Sequence, residues 1–564
     1  MNEHDLAYDS FGEDQGKDRQ NIPDIINLAP HFDELDNLNS CDDKLNNHEI
    51  IINHIDQLLG KGEKISHKKI LDQLLSEIEP VDFETLAFPE KEILIKELDD
   101  LGTLPAIQDD SLIKDYGMEE KRDLSKSLKY KLSKLKLNMK HFLIISIQIV
   151  VNVAQKNRWG LCKNEAFIYM FNGAYWSELG KERFQKFLGE AAEKMGVDKF
   201  SAKFYQFREH LIKQFFATEY LPTPEENKDQ VMINLMNGTY EISPNKQFLR
   251  AFDQADFIRY QLPFSYDPKA EAPLFQAFLD RVLPDIECQT ILAEYLGFMF
   301  IKHGSSLKLE KALILYGTGA NGKSVFFEVV TALFGKENVS NYSVQSLTEE
   351  KGYYRAKISN KLVNYASEIN NKLESSKFKL MASGEPVEAC LKYGQPFIMS
   401  QYAKFIFNCN ELPKDIEYTN AFFRRWLIIP FEVTIPEHEQ DKTLHAKIIE
   451  KELSGVFNWV LTGLNRLLAQ KRFSNCEAAL KAVEQYKIES DSVKMFLNEH
   501  QYMVSTTNDK PLKDLFGEYK IYCNDSGFRS VSVRTLADRL RKSGYQTDRK
   551  GYGMSVNAEI KTLF

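Results

Sequence analysis

The chain has 564 residues, 27% of them charged and 43% hydrophobic, with a formal net charge of −9. That is too long for one core and suggests three or four domains of a soluble protein. Cys41, Cys162, Cys288, Cys390, Cys409, Cys476 and Cys523 form no C-x-x-C pair. Such spacing argues against a zinc ribbon and a disulfide framework and fits a reducing, cytoplasmic setting.

Residues 1–60 hold 14 acidic and 3 basic side chains. This balance repels polyanions and predicts an acidic, partly disordered region over 1–120. The polar, acidic opening residues predict no signal peptide. The longest apolar run, 142–154, is too short to span a bilayer and reads as a buried element, so no membrane partner is expected. Lys121, Arg122, Lys126, Lys129, Lys131, Lys134, Lys136 and Lys140 reverse the charge. Leucines at 124, 128, 132 and 135 keep helical spacing, giving one apolar and one basic face that is either solvated or turned to DNA or a partner.

Residues 121–245 read as an α+β domain. Asn-Gly pairs lie between apolar or aromatic runs at 167–176 and 231–242, a hairpin signal in both places. Helical patterns cover 181–195 and 202–216. A helical linker, 246–304, carries two more at 274–283 and 288–301.

Residues 313–335 read LILYGTGANGKSVFFEVVTALFG. A buried strand is predicted over 312–316 and a helix over 325–334. Between them Gly317, Thr318, Gly319, Ala320, Asn321, Gly322, Lys323 and Ser324 match G-x-x-x-x-G-K-[ST] in full. A strand, a glycine loop and a helix N-terminus aim unpaired N–H groups and the helix dipole at one point, which suits a phosphate chain. Lys323 is placed to reach the β- and γ-phosphates of ATP and Ser324 to bind Mg²⁺.

A strand at 362–366 ends at Glu368, on the sheet edge where open α/β sheets hold ligands. Glu368 is expected to polarise the attacking water and to reach Mg²⁺. Another strand, 405–407, leads to Asn410, whose amide could donate to the γ-phosphate or orient the water. Arg424 and Arg425 precede an apolar run at 426–430. They form either a solvated loop or an arginine finger for a neighbouring subunit's phosphate. These pieces define a nucleotide domain over 305–435, followed by helices over 436–490.

The C-terminal unit, 491–564, contains a predicted helix over 532–544 capped by Ser532. Leu536, Ala537 and Leu540 face inward; Arg534, Arg539, Arg541 and Lys542 face outward. A hairpin follows with Arg549 and Lys550 at its turn. With residues 510–523 this resembles a winged helix, a unit that sets a helix in a DNA groove and a wing on phosphates, or binds protein.

The stretches GTGANGKS, ASE, FKLMASGEPVEACLKYGQPF, FNCNELP and RRWLIIPF occur in that order. Together they resemble the superfamily III helicases. The likeness is greater to the phage- and plasmid-type primase/helicase ATPases related to the poxvirus nucleoside triphosphatase–primase. It spans 140–435 well and the C-terminus loosely. The resemblance implies an AAA+-like α/β core between an α+β N-terminal region and a winged-helix-like C-terminal domain. It implies a ring, commonly of six subunits, with ATP and Mg²⁺ between subunits and channel hairpins that grip single-stranded or forked DNA. Lys392 sits near the predicted hairpin tip, where related hairpins usually carry more than one basic residue. No apolar strand bears a primase-type carboxylate pair, so a primase or polymerase would be a separate partner. The expected function is ATP-dependent DNA unwinding for a phage, plasmid or other mobile element in a bacterial host. The alternative is a nucleotide-switched DNA-binding or assembly ATPase, of initiator or defence type, that unwinds nothing.

Overall fold

The computed structural model describes residues 66–102, 116–157, 159–164, 166–218, 229–243, 246–367, 369, 373–413 and 416–561. The chain divides into two compact units, Met1–Leu58 and Leu59–Phe564. The first lies outside the described residues, as do the acidic segment read from the sequence up to residue 65 and Glu368. The second unit is mixed α/β with a central parallel sheet. Among the described residues no single helix is long and apolar enough to cross a membrane.

The apolar run at 142–154 is a core helix, Met139–Lys156, that buries Ile145, Ile147, Val150, Val151 and Ala154. Asn138 and His141 start it with reciprocal hydrogen bonds, each side chain serving the other's backbone. Both Asn-Gly hairpins form. Strands β1 (Leu161–Asn164), β2 (Phe167–Phe171) and β3 (Trp176–Glu178) make one antiparallel sheet. Strands β4 (Val231–Leu235), β5 (Gly238–Ser243) and β6 (Lys246–Arg250) make another. The helix predicted over 202–216 is two helices, Lys199–Lys203 and Tyr205–Thr218. Asp198 caps the first, and Phe204 interrupts them with an extended ψ of 130°. The local cap outcompeted the apolar periodicity.

The central sheet has the order β13-β7-β12-β9-β8, every pair parallel. Its strands are β7 (Ala312–Tyr316), β8 (Val339–Ser340), β9 (Val363–Ala366), β12 (Lys404–Cys409) and β13 (Trp426–Pro430). Their apolar runs are continuous because both faces are covered. One face carries the helices Ile286–Phe298, Lys323–Phe334 and Leu453–Gln470, joined through Leu296, Phe326, Leu333 and Leu464. The other packs Phe378, Met381 and Phe422 around Trp426, with the Phe378 ring stacked 4.3 Å from Trp426. The helices Ile286–Phe298 and Leu453–Gln470 approach closely at two glycines. A Cβ on Gly463 would lie 2.4 Å from the Ala293 carbonyl carbon, and one on Gly297 2.7 Å from Leu464 Cβ.

Between β9 and β12 a hairpin of β10 (Val387–Cys390) and β11 (Pro396–Met399) projects from the core. The C-terminal part has its own core of Leu497, Leu515, Tyr519, Leu536 and Leu540. Three helices, Ser492–Glu499, Leu512–Asp525 and Val533–Lys542, surround it. The remaining strands, β14 (Tyr502–Val504), β15 (Lys510–Pro511), β16 (Thr547–Lys550), β17 (Gly553–Val556) and β18 (Ala558–Ile560), form two small antiparallel sheets. The expected hairpin after the basic helix is β16–β17.

Candidate functional site

Strand order reverses at β7, whose neighbours β13 and β12 come later in the chain. The loop leaving its C-terminal end therefore opens into the crevice where such sheets hold ligands. That loop is 317–324. Gly317 N–H donates to Cys409 O at 3.1 Å, and Ile435 N–H donates to Ala320 O at 2.8 Å, fixing the loop to both neighbouring strands' extensions. Glycine is required at 317, because a Cβ there would lie 2.2 Å from Asn321 Nδ2 and 2.4 Å from Phe431 O. Asn321 Nδ2 donates to that same Phe431 oxygen at 3.0 Å. Gly322 sits at φ +84° and opens the helix Lys323–Phe334 with no side-chain cap. The first-turn N–H groups thus face the loop without a capping side chain, which fits an anion.

Lys323 is buried and folded back over the loop. Its Nζ donates to Gly317 O at 2.6 Å and Asn321 Oδ1 at 3.0 Å. Burial lowers its pKa, partly offset by the neighbouring Cys409. Ser324 and Thr318 are exposed on the rim. The residues present fit a nucleoside triphosphate with a bound Mg²⁺: N–H groups for the phosphates, one lysine, one hydroxyl.

The tips of β12 and β9 adjoin the same edge. Cys409 pairs in register with Tyr316, which sets Asn410 beside the start of the glycine loop. Asn408 is buried and accepts from Tyr365 OH at 3.0 Å, whereas Asn410 is exposed. Ala366 pairs with Phe407. Glu368, two residues beyond Ala366, lies outside the described residues.

Arg424 and Arg425 occupy the opposite edge. Arg425 O accepts from Ala312 N–H at 2.8 Å, at the start of β7. The five residues of β7 then separate this edge from the glycine loop by roughly 16 Å. The two arginines differ. Arg425 is 8% exposed. Its guanidinium donates to Lys379 O at 3.1 Å, Ala421 O at 2.6 Å and Ser383 Oγ at 2.8 Å. Arg424 has a side chain 61% exposed, paired with Glu310 at 2.9 Å. It lines a cleft of about 990 Å³ together with Lys308, Lys311, Lys471 and Arg472. Sequence reasoning missed these cations, because three separate segments bring them together. Lys311 Nζ donates to Arg424 O at 2.6 Å, and burial followed by the Arg424 charge lowers its pKa.

Lys392 is exposed at the β10–β11 tip, as expected. Tyr393 beside it was not foreseen. It is 95% exposed and sits at φ +63°, with Lys392 Nζ 5.2 Å from its ring centroid. The base of the hairpin is held by buried Arg355, which donates to Glu388 O at 2.9 Å and Leu347 O at 3.0 Å.

The C-terminal cations are not equivalent either. Arg539, expected to face outward, is turned inward. It pairs with buried Asp491 at 3.2 Å and lies 4.6 Å over the Tyr418 ring, docking this part on the segment between Asn410 and Arg424. Arg541 pairs with Asp538 at 2.8 Å and Lys550 with Asp509 at 2.7 Å. Arg534, Lys542 and Arg549 are exposed.

Two family profiles match parts of the chain. Residues 315–425 match a family of unknown function (DUF5906), and residues 154–284 match a family described as D5 N terminal like. No curated protein sequence matches. Among solved structures, the chain is similar to the apo structure of the NrS-1 C-terminal region, at 14% identity and a TM-score of 0.42, over 74% of this chain and 99% of that one. Its A form gives 13% identity and a TM-score of 0.41 over the same shares. The chain is therefore similar to each of these over the stated residues, and the D5 N terminal like match covers the α+β region from residue 154 together with the start of the helices that lead to the glycine loop.

Proposed function

We propose that the chain is an ATP-hydrolysing ring motor of superfamily III type that moves on single-stranded DNA during replication of a phage or other mobile element. One observation carries this reading: the exposed Arg424 and its basic cleft lie at the sheet edge opposite the glycine loop. Its distance from the loop of its own chain supports a role for Arg424 at a neighbouring subunit's phosphates. The match of residues 154–284 to the D5 N terminal like family supports the phage replication setting.

In this reading the N–H groups of 317–324 and Lys323 hold the triphosphate. Ser324 and Glu368 hold Mg²⁺, which would neutralise charge on the β- and γ-oxygens. Glu368 takes the proton of the attacking water, and Asn410 orients that water. Arg424 of the next subunit stabilises the charge on the transferred phosphoryl group, while Arg425 braces it by fixing the segment 420–425 to the core. Lys392 and Tyr393 supply one charge and one stacking face to the DNA strand, a pairing suited to sequence-independent grip.

A strand-displacement assay on forked DNA tests the proposal. ATP-dependent release of the displaced strand is the expected result. ATP hydrolysis with no release would favour the second reading, a nucleotide-driven assembly switch. The observation behind that reading is the docking of Arg539 on Tyr418, which ties the C-terminal part to the segment joining Asn410 to Arg424.

A further inference from the structure

Cys288 and Cys476 stand alone in the sequence, 188 positions apart, yet their Sγ atoms lie 3.3 Å from each other. Each is 1% exposed. Cys288 is in the first turn of the helix Ile286–Phe298, whose N-cap is Asp285. Asp285 Oδ1 accepts from Glu287 N–H at 2.8 Å, which leaves Oδ2 turned to Cys288 Sγ at 3.7 Å. Cys476 is itself an N-cap: its Sγ accepts from Ala479 N–H at 3.4 Å, opening the helix Glu477–Glu489. Two helix amino ends therefore converge on two sulfurs, an arrangement that favours thiolates.

The Cys288 and Cys476 sulfurs and one Asp285 carboxylate oxygen all lie within 4.8 Å of one another. A tetrahedral ion bound at about 2.3 Å to sulfur holds its sulfurs about 3.8 Å apart. The observed spacing needs a shift of only a few tenths of an ångström. We propose that Asp285, Cys288 and Cys476 bind one thiophilic divalent cation of the zinc class, with water as the fourth ligand on the exposed Asp285 side. Binding releases the two thiol protons to solvent and leaves both sulfurs as thiolates, with no oxidant required. The ion would clamp the helix Ile286–Phe298 to the helix Glu477–Glu489, which packs on β13, the strand that Arg424 precedes. This inference does not depend on the ATPase reading.

Cobalt titration of the full chain, reduced and stripped of metal, tests it. The expected result is an intense near-ultraviolet thiolate-to-cobalt absorption with visible ligand-field bands, saturating at one equivalent and bleached by zinc. Cys288→Ser and Cys476→Ser should lose the charge-transfer band, and Asp285→Ala should keep it with weaker binding. Circular dichroism checks that the variants fold, and the wild-type titration needs no variant. Absence of the band in reduced wild-type protein would overturn the proposal, as would its persistence in the Cys288→Ser/Cys476→Ser double variant. A 288–476 disulfide in air-purified protein that takes up no cobalt once reduced would also overturn it, leaving a redox pair in place of a metal site.

Discussion

The two edges of the central sheet are built from opposite materials. At the C-terminal edge the glycine loop offers backbone N–H groups, and its one lysine is buried against Gly317 O. At the N-terminal edge the offering is side-chain charge: Arg424, Lys308, Lys311, Lys471 and Arg472 around an open cleft. In the proposed reading each edge is half of a phosphoryl-transfer site, one holding phosphate and the other supplying cations for developing charge. Roughly 16 Å of strand lies between them. That separation is the ground for proposing that a complete site needs two copies of the chain.

The largest effects should come from the C-terminal edge. Lys323→Ala should abolish ATP hydrolysis while the fold persists, and Glu368→Gln should still bind ATP without turning it over. Near wild-type turnover by Glu368→Gln would move the catalytic carboxylate elsewhere. At the opposite edge, Arg424→Ala should lower turnover by roughly 10³–10⁵, the worth of an arginine finger, with nucleotide binding retained. Its stability should change by only about 0–1 kcal/mol, as for an exposed pair.

Arg425 sharpens the comparison because it is adjacent yet buried. Arg425→Ala removes the buried guanidinium that donates to the Ala421 and Lys379 carbonyls and the Ser383 hydroxyl, and should cost about 3 kcal/mol in denaturant unfolding. If the stability losses of the two variants were reversed, the assignment of finger and brace would be reversed too.

Smaller effects are expected at the residues proposed to contact DNA. Tyr393→Ala should weaken single-stranded DNA binding by about 1–3 kcal/mol, the worth of one stacked base, and Lys392→Ala should mainly reduce salt dependence. In the C-terminal part, replacing exposed Arg534, Lys542 and Arg549 should lower the salt slope of DNA binding by roughly one per contact. Arg539→Ala should leave that slope unchanged and instead loosen docking, read as faster proteolysis near residue 490. A slope that falls with Arg539→Ala would restore it to the DNA face.

What the sequence revealed depended on whether a function was contiguous. The glycine loop is written in eight consecutive residues, and the strand and helix beside it follow from apolar period and caps, so that part of the site was legible. Both Asn-Gly hairpins were legible for the same local reason. The difference between Arg424 and Arg425 was not, because it depends on Ser383 and Lys379, some forty residues earlier, closing around one guanidinium. Nor was the direction of Arg539: helical period gave it an outward position, and Asp491 and Tyr418, from other segments, drew it in. The Cys288–Cys476 contact joins two helix starts from different parts of the fold, and no spacing rule links them.

The most direct test of a site shared between copies mixes two inactive variants. Lys323→Ala subunits keep an intact Arg424, and Arg424→Ala subunits keep an intact glycine loop. Each alone should hydrolyse ATP at a negligible rate. Mixed, some interfaces pair the intact loop with the intact arginine, and ATPase activity should return and rise with protein concentration. No recovery at any ratio, together with concentration-independent hydrolysis by the wild type, would mean that a single chain completes its own site and would contradict the shared-site account.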